Sequence, residues 1–344
     1  MPAILDGMTW LTVAKNNEQP RQRTTARMNA WGSTAKILRH AFVVVVVDAL
    51  LAGTLVASAA AQTDKASGRG QRIAYSASGT PIHQFESDLA GGGQFNVTRY
   101  FLAFDAKTPL NRTQAVGLTL TYSLEDYNFA GRTALGDQQP WDRIHRLGVG
   151  VPFSFSSANR WHFLFTPSLE FARESGADWN DALTYGVVFS AVRSVRPTLT
   201  IGVGVGAFNR LEQNVLFVFP AVNWQITQRL RLSNPFRAGP TGPAGLELVY
   251  THSGKWEIAG GAAYRSLRFR LDDNGPIPNG IGEERALPLF GRLSRKLGQA
   301  LKLDLYAGVL VEGQLSIDDP NGNEVVSDDY GSAPFVALTI AGRF

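Results

Sequence analysis

From 333 to 344 the side chains take turns. Val336, Leu338 and Ile340 share a parity with Gly342 and Phe344, against Ala337, Thr339, Ala341 and Arg343. A period of two gives a strand one apolar and one polar face. The same pattern recurs upstream. Leu301, Leu303, Leu305, Ala307, Val309 and Val311 oppose Lys302, Asp304, Tyr306, Gly308 and Glu312, and Trp161, Phe163, Phe165, Leu169 and Phe171 oppose His162, Thr166, Ser168 and Glu170. Val116, Leu118, Leu120, Tyr122 and Leu124 alternate with Gly117, Thr119, Thr121, Ser123 and Glu125, as do Leu199, Ile201, Val203 and Val205 with Thr200 and the glycines at 202, 204 and 206. Trp161, Phe171, Tyr185, Trp256 and Tyr264 stand near the ends of such segments, where aromatic girdles meet the two membrane surfaces.

The connections carry more weight than any one strand. Thirteen strands are predicted at 94–105, 114–125, 144–156, 160–172, 181–193, 196–208, 213–226, 228–233, 244–252, 255–271, 285–296, 300–317 and 333–344. Short turns at 106–113, 157–159, 194–195, 227, 253–254 and 297–299 alternate with longer, acidic or Pro/Gly-rich links at 126–143, 173–180, 209–212, 234–243, 272–284 and 318–332. Short turns on one rim and long loops on the other are the habit of transmembrane barrels, whereas a soluble sandwich has no reason to produce them. Because 94–105 then descends from outside, one more ascending strand is required. The stretch 72–78, with Ile73, Tyr75 and Ala77 in phase, supplies it, and 80–93 becomes an external loop. The fold class is therefore all-β, a transmembrane antiparallel up-and-down β-barrel of about 14 strands, with 12 as the alternative, preceded by a signal peptide.

Within 255–271 the apolar phase moves from Trp256, Ile258, Ala262 and Tyr264 to Leu267, Phe269 and Leu271. A parity change inside a strand is what a β-bulge produces. This strand and 300–317 exceed the ~11 residues that cross the hydrocarbon layer, so both should project beyond it.

Upstream of the strands, 1–27 shows no apolar periodicity and reads as a non-structured or mis-assigned extension. Residues 28–61 carry Lys36, Arg39 and His40, an apolar run over 41–56, and the motifs Ala57-Ser58-Ala59 and Ala59-Ala60-Ala61. That is the layout of a signal peptide, with cleavage after Ala59 or Ala61, and Asp48 inside the run disfavours a retained anchor. Residues 62–344 then form a single barrel domain. Removing 1–61 takes six of 33 basic and three of 29 acidic residues, leaving 27 against 26. The basic balance thus belongs to the leader and does not argue for nucleic acid. There is no cysteine, hence no disulfide framework and no thiolate metal site.

By parity the lumen is lined by Glu125, Arg146, His162, Glu170, Glu247, Glu257, Arg268, Arg270, Arg292, Lys296, Lys302, Asp304 and Glu312. Two readings compete: a charged channel selecting small polar or anionic solutes, and a salt-bridged filling of an interior without an apolar core. The inward glycines at 202, 204 and 206 leave room for a loop, a plug or neighbouring long side chains, or serve close packing alone. No catalytic set emerges: His83, His145, His162 and His252 are scattered, without an HExxH pair or a GxSxG elbow. Asp319, Asn321 and Asn323 have calcium-loop spacing, but Glu324 stands where that loop needs glycine. No metal or cofactor is expected.

The run from Tyr122 to Phe129, the Pro/Gly-broken loops and an alternating last strand ending on Phe344 resemble the porin-like outer-membrane β-barrels of unknown function. That resemblance implies a barrel in the bacterial outer membrane, surrounded by its lipid, with Phe344 read by the barrel-assembly machinery after delivery by periplasmic chaperones. It transfers no catalytic or ligand residue. The expected function is a passive pore for small solutes. The alternatives are a surface barrel without an open pore and a soluble periplasmic barrel holding an apolar ligand.

Overall fold

The computed structural model describes residues 73–136, 139–235 and 244–344. The extension 1–27 and the expected leader, with Ala59 and Ala61, lie outside the described residues. The first strands are β1 (Ala74–Asp88), β2 (Gln94–Pro109), β3 (Gln114–Ala130), β4 (Arg143–Gly150), β5 (Phe153–Ser156) and β6 (Trp161–Glu174). After a single 3-10 turn at Asn180–Ala182 come β7 (Leu183–Arg196), β8 (Leu199–Arg210), β9 (Gln213–Gln225), β10 (Leu230–Ser233) and β11 (Gly245–Thr251). The chain continues with β12 (Trp256–Ala263), β13 (Arg265–Arg270), β14 (Ile281–Leu297), β15 (Leu301–Asp318), β16 (Glu324–Tyr330) and β17 (Ala333–Arg343).

Three of the breaks fall inside single wall strands. β3 pairs with β4 over 119–126 and with β5 over 114–116, and Pro152, which has no amide hydrogen for the ladder, sits at that break. β14 pairs with both β12 and β13, and β15 with both β16 and β17. Seventeen segments therefore make fourteen wall strands. β17 pairs with β1 from Ser76↔Arg343 to Gln84↔Phe335 and closes the ring. Tyr75 and Phe344 exchange backbone hydrogen bonds of 3.3 and 2.9 Å at the seam.

The apolar parity faces outward around this wall. Leu118, Leu120, Phe165, Leu169, Ile201, Val203, Leu248, Ile258, Leu289 and Leu305 are all exposed, and Leu216 (72 %) and Val218 (65 %) are the most exposed large apolar side chains among the described residues. An apolar outer face on a closed sheet is the arrangement that lets strands cross lipid with every backbone group paired.

Three local readings differ from expectation. The first strand does not stop at 78 but runs to Asp88, turning at 89–93 where Leu89 N–H donates to Gly93 O at 3.1 Å. Ser78, Thr80, Ile82 and Gln84, all buried on one face, mix polar with apolar and so hide its period. Half of the 318–332 link is strand, because 324–330 pairs with the end of β15. The 209–212 link is a two-residue turn in which Leu211 (φ 44°) and Glu212 (φ 67°) both take the left-handed conformation of a type I′ hairpin. Each non-glycine residue held there costs about 1–2 kcal/mol.

The inward glycines of β8 make room for aromatic side chains of the next strand. Gly204 faces Phe219 and Gly206 faces Phe217 in register, and a Cβ on either would lie 2.1 or 2.3 Å from the ring opposite. This explains why 215–226 is apolar on both parities: its outward residues meet lipid and its inward phenylalanines cover glycine. Gly204→Ala is expected to destabilise the barrel by about 1–3 kcal/mol through overpacking, read as a lower urea midpoint of the refolded chain in lipid vesicles. Adding Phe219→Leu should return part of the loss.

Candidate functional site

The interior is not uniform from rim to rim. β11 and β12 stay paired up to Gly245↔Ala263. Beyond Tyr264 the strand keeps β14 on one edge, but its other edge meets β6 through a parallel bridge, Arg270↔Arg173. In the wall, β7 to β11 lie between those two partners. β13 therefore crosses the interior at the long-loop end as a septum, with a different chemistry on each face.

One face is apolar. Phe269 and Leu271 join Phe95, Tyr127, Trp141, Leu315 and Tyr330 in a buried cluster. Trp141, delivered by the β3–β4 loop, meets the rings of Phe129 and Phe269 at 5.4 Å and Tyr127 at 5.7 Å, all edge-on, the geometry aromatic quadrupoles favour. Embedded in this cluster is Glu284, 0 % exposed. Its Oε2 accepts from the Arg99 guanidinium and from Tyr127 Oη at 2.6 Å. Its Oε1 accepts from Arg265 Nη2 at 2.8 Å and Tyr330 Oη at 3.0 Å. Arg99 also donates to Gln84 Oε1 at 2.8 Å, and its Nε lies 3.5 Å from Glu125 Oε2, an ion-pair distance without hydrogen-bond alignment.

The opposite face carries arginines. Arg268 pairs with Asp318 at 2.7 Å and Glu283 at 3.1 Å, and donates through Nε and Nη2 to the carbonyl of Leu211 at 3.3 and 3.1 Å. Arg270 donates to the carbonyls of Asp181 and Asn279, both at 2.8 Å, and to Glu212 at 3.4 Å. The left-handed β8–β9 turn is thus held by two guanidinia of the septum. Arg146 of β4 pairs with Glu170 at 2.7 Å and donates to the carbonyl of Arg268 at 3.2 Å, tying the wall to the same strand.

Below the septum lies a cavity of about 700 Å³ that reaches the short-turn rim at Gly298, Gln299, Ala300 and Arg343. Its charges are largely matched. Arg292 pairs with Glu247 at 2.8 Å and Asp304 at 3.2 Å, and Lys302 with Asp304 at 2.9 Å. Glu257 lies 3.6 Å from Lys296 and 3.9 Å from Lys302. Asp105 accepts from Thr119 Oγ1 at 2.7 Å.

Of the residues expected to line the lumen, Glu247, Glu257, Arg292, Lys296, Lys302 and Asp304 surround this cavity. Glu125, Arg146, Glu170, Arg268 and Arg270 lie in the networks of the septum instead. His162 stands near the short-turn rim between Ser156 Oγ (2.8 Å) and Ser194 Oγ (3.3 Å), away from the cavity lining. Glu312 occupies a bulge in β15 with φ 50° and is exposed. The extra residue there moves Leu315 and Ile317 to the interior, so parity counted from Asp304 does not carry past it. Likewise Phe269 and Leu271, in the apolar phase of their strand, point into a packed cluster rather than to lipid. Parity reasoning missed Arg99, Glu284, Arg265 and Arg231. Glu284 fell in an expected loop, and Arg99 shares its buried parity with Val97, which hides the polar face. Among the described residues no group of three His, Asp or Glu side chains is placed to hold a metal ion. In the 319–323 loop, Asn323 donates its side-chain amide to Asp319 at 3.0 Å, and the backbone amides of Asn321 and Asn323 add two bonds of 2.9 Å. These bonds hold the Asp319 carboxyl below its usual range.

No family model and no curated protein matches the chain. Among solved structures it is similar to the COG4313 outer membrane channel from Pseudomonas putida F1 (TM-score 0.43, 9 % identity, covering 82 % of this chain and 98 % of that one). It is also similar to the P. putida toluene transporter TodX (0.40, 9 %, 81 % and 91 %) and to a KdgM porin (0.30, 10 %, 76 % and 97 %). These likenesses give no residue of this chain a role.

Removing the Glu284 carboxylate strands two buried guanidinia and two phenols. Glu284→Ala is expected to cost about 3–5 kcal/mol, the range for breaking a buried pair from one side. Glu170→Ala, whose side chain is 37 % exposed and whose loss leaves the buried Arg146 with Glu125 and the Arg268 carbonyl, should cost less, about 1–3 kcal/mol. Urea unfolding of the two refolded variants in vesicles separates them.

Proposed function

We propose that this chain is a porin-like channel of the bacterial outer membrane, a passive route for small polar solutes rather than an enzyme. The observation that carries the reading is a charged cavity of about 700 Å³ enclosed by a wall whose outer face is apolar. An interior lined by Arg292, Lys296, Lys302, Glu247, Glu257 and Asp304 holds water and fixed charge, as solute pathways do. A soluble barrel for apolar ligands would reverse both faces, with its apolar parity turned inward and its charges outside. The same reading includes export as a cleaved precursor, lipid around the girdle, and recognition of Phe344 by the assembly machinery.

In the described conformation the long-loop end is filled by the septum, so conduction requires β13 to move. A specific observation also favours a second reading, a surface barrel without a pore: both faces of β13 are packed or ion-paired. Planar-bilayer recording decides between them. The refolded chain should show discrete openings. Arg268→Ser with Arg270→Ser, which frees β13 from Leu211, Asp181 and Glu212, should raise the time-averaged current about twofold or more. Silent traces from both proteins, with heat-modifiable mobility on gels proving that each barrel is folded, would remove the pore reading. Recovery of the native chain in the soluble periplasm would remove the membrane reading as well.

A further inference from the structure

Arg231 on β10 departs from the matched charges of the cavity, as does the exposed Arg343 at the short-turn rim. Arg231 lines the cavity, and no ion pair or side-chain hydrogen bond reaches it among the described residues; its Nε is buried without an acceptor. Its ladder neighbours are Gln225 on β9 and Val249 on β11. Gln225 spends its side-chain amide on the carbonyl of Thr227 at 2.6 Å, and Val249 has nothing to offer. The nearest wall carboxylate by register, Glu247, faces Ser233 two pairs further along and is engaged by Arg292 through bonds of 2.8 and 3.3 Å. The row continues Val249↔Ala259↔Arg292, so the backbone positions of the two arginines stand roughly 14 Å apart along the wall, three strand spacings of ~4.8 Å, with only small side chains between them. A partly buried guanidinium left unpaired is costly, and its planar fork matches a carboxylate or phosphate with two parallel hydrogen bonds. Ser233 and Asn223, two pairs along the ladder and also in the lining, add neutral donors.

We propose that Arg231 is the anchor of an anion-binding site in the cavity, taking small solutes that carry a carboxylate or phosphate group. The site goes beyond the transport reading and stands whether or not the barrel conducts. A cavity of about 700 Å³ admits such a solute entire, since pockets for small ligands run ~300–1,000 Å³.

The test uses the full refolded barrel in detergent with acetate followed by proton saturation transfer and inorganic phosphate by ³¹P line width. The wild type should bind at least one of them, and the two arms tell carboxylate from phosphate preference. Arg231→Gln should weaken that binding about tenfold or more. Arg295→Gln makes the same charge change on the outer face, where Arg295 lies over Trp256 at 5.1 Å, and should leave binding unchanged. Equal binding by Arg231→Gln, or none by the wild type, overturns the site. Should Arg231→Gln lose heat-modifiable mobility, Arg231→Lys is titrated instead: a loss of about threefold or more supports forked recognition, and unchanged binding overturns it. Arginine-dependent binding by a barrel that passes no current would keep the site and remove the pore.

Discussion

The long-loop half of this barrel depends on one carboxylate. An ion taken fully out of water costs several kcal/mol unless its lone pairs are used by well-placed donors. Glu284 meets that condition with donors from four segments, Arg99 of β2, Tyr127 of β3, Arg265 of β13 and Tyr330 of β16. Because each donor must reach the same two oxygens, the carboxylate sets where those strands stand relative to one another. The aromatic cluster is less directional and fills the space around that frame. Trp141 comes from a loop and contributes no donor to Glu284, so it reads as filling that follows from the frame rather than as part of it.

Two irregularities turn a lipid-spanning wall into this frame. At Glu312 an extra residue in β15 reverses which parity faces inward, bringing Leu315 and Ile317 inside. At Tyr264 the strand leaves β11 and bends across the interior. Either alone would leave one face of a strand unsatisfied. With both, the apolar residues of β13 and β15 meet each other, and the arginines of β13 meet carbonyls of the β8–β9 turn and the 3-10 turn. The left-handed turn at Leu211 and Glu212 is part of the same arrangement: its strain is offset where Arg268 holds the Leu211 carbonyl and Arg270 holds the Glu212 carboxylate.

The lipid-spanning part was legible in the sequence for a simple physical reason. Between two solvents a strand has one partner for each parity, so Leu303, Leu305 and Val309 against Asp304 and Tyr306 report their surroundings directly. Turn lengths followed, and with them fourteen strands. The rest was obscured where both faces of a strand are buried in protein. In β1 and in β13, polar and apolar residues face the same interior, because Gln84 serves Arg99 while Ile82 packs nearby, and Phe269 lies between two buried arginines. Parity cannot distinguish lipid from a packed protein interior, and so the apolar phase of Phe269 and Leu271 did not reveal that both enter the buried cluster. Register across strands, which pairs Gly204 with Phe219 and leaves Arg231 beside Val249, is likewise invisible to any single segment.

The two faces of the septum also differ in what it takes to separate them. On the Glu284 face, movement of β13 would strand a fully buried carboxylate and open a void among rings that exclude water. On the arginine face the buried carboxylates that hold Arg268, Glu283 and Asp318, belong to β14 and β15, which pair in series with β13, whereas the acceptors beside the β8–β9 turn and the 3-10 turn are the carbonyls of Leu211 and Asp181 and the Glu212 side chain, 50 % exposed. Guanidinia drawn away from such groups exchange protein acceptors for water, at the modest net cost of an ordinary hydrogen bond, about 0.5–1.5 kcal/mol each. The barrel is thus asymmetric across its own partition, rigid beside β2, β3 and β16 and more easily parted beside the β8–β9 turn. A passage that opens without unfolding the long-loop end has to run along the side where water can replace what the arginines release.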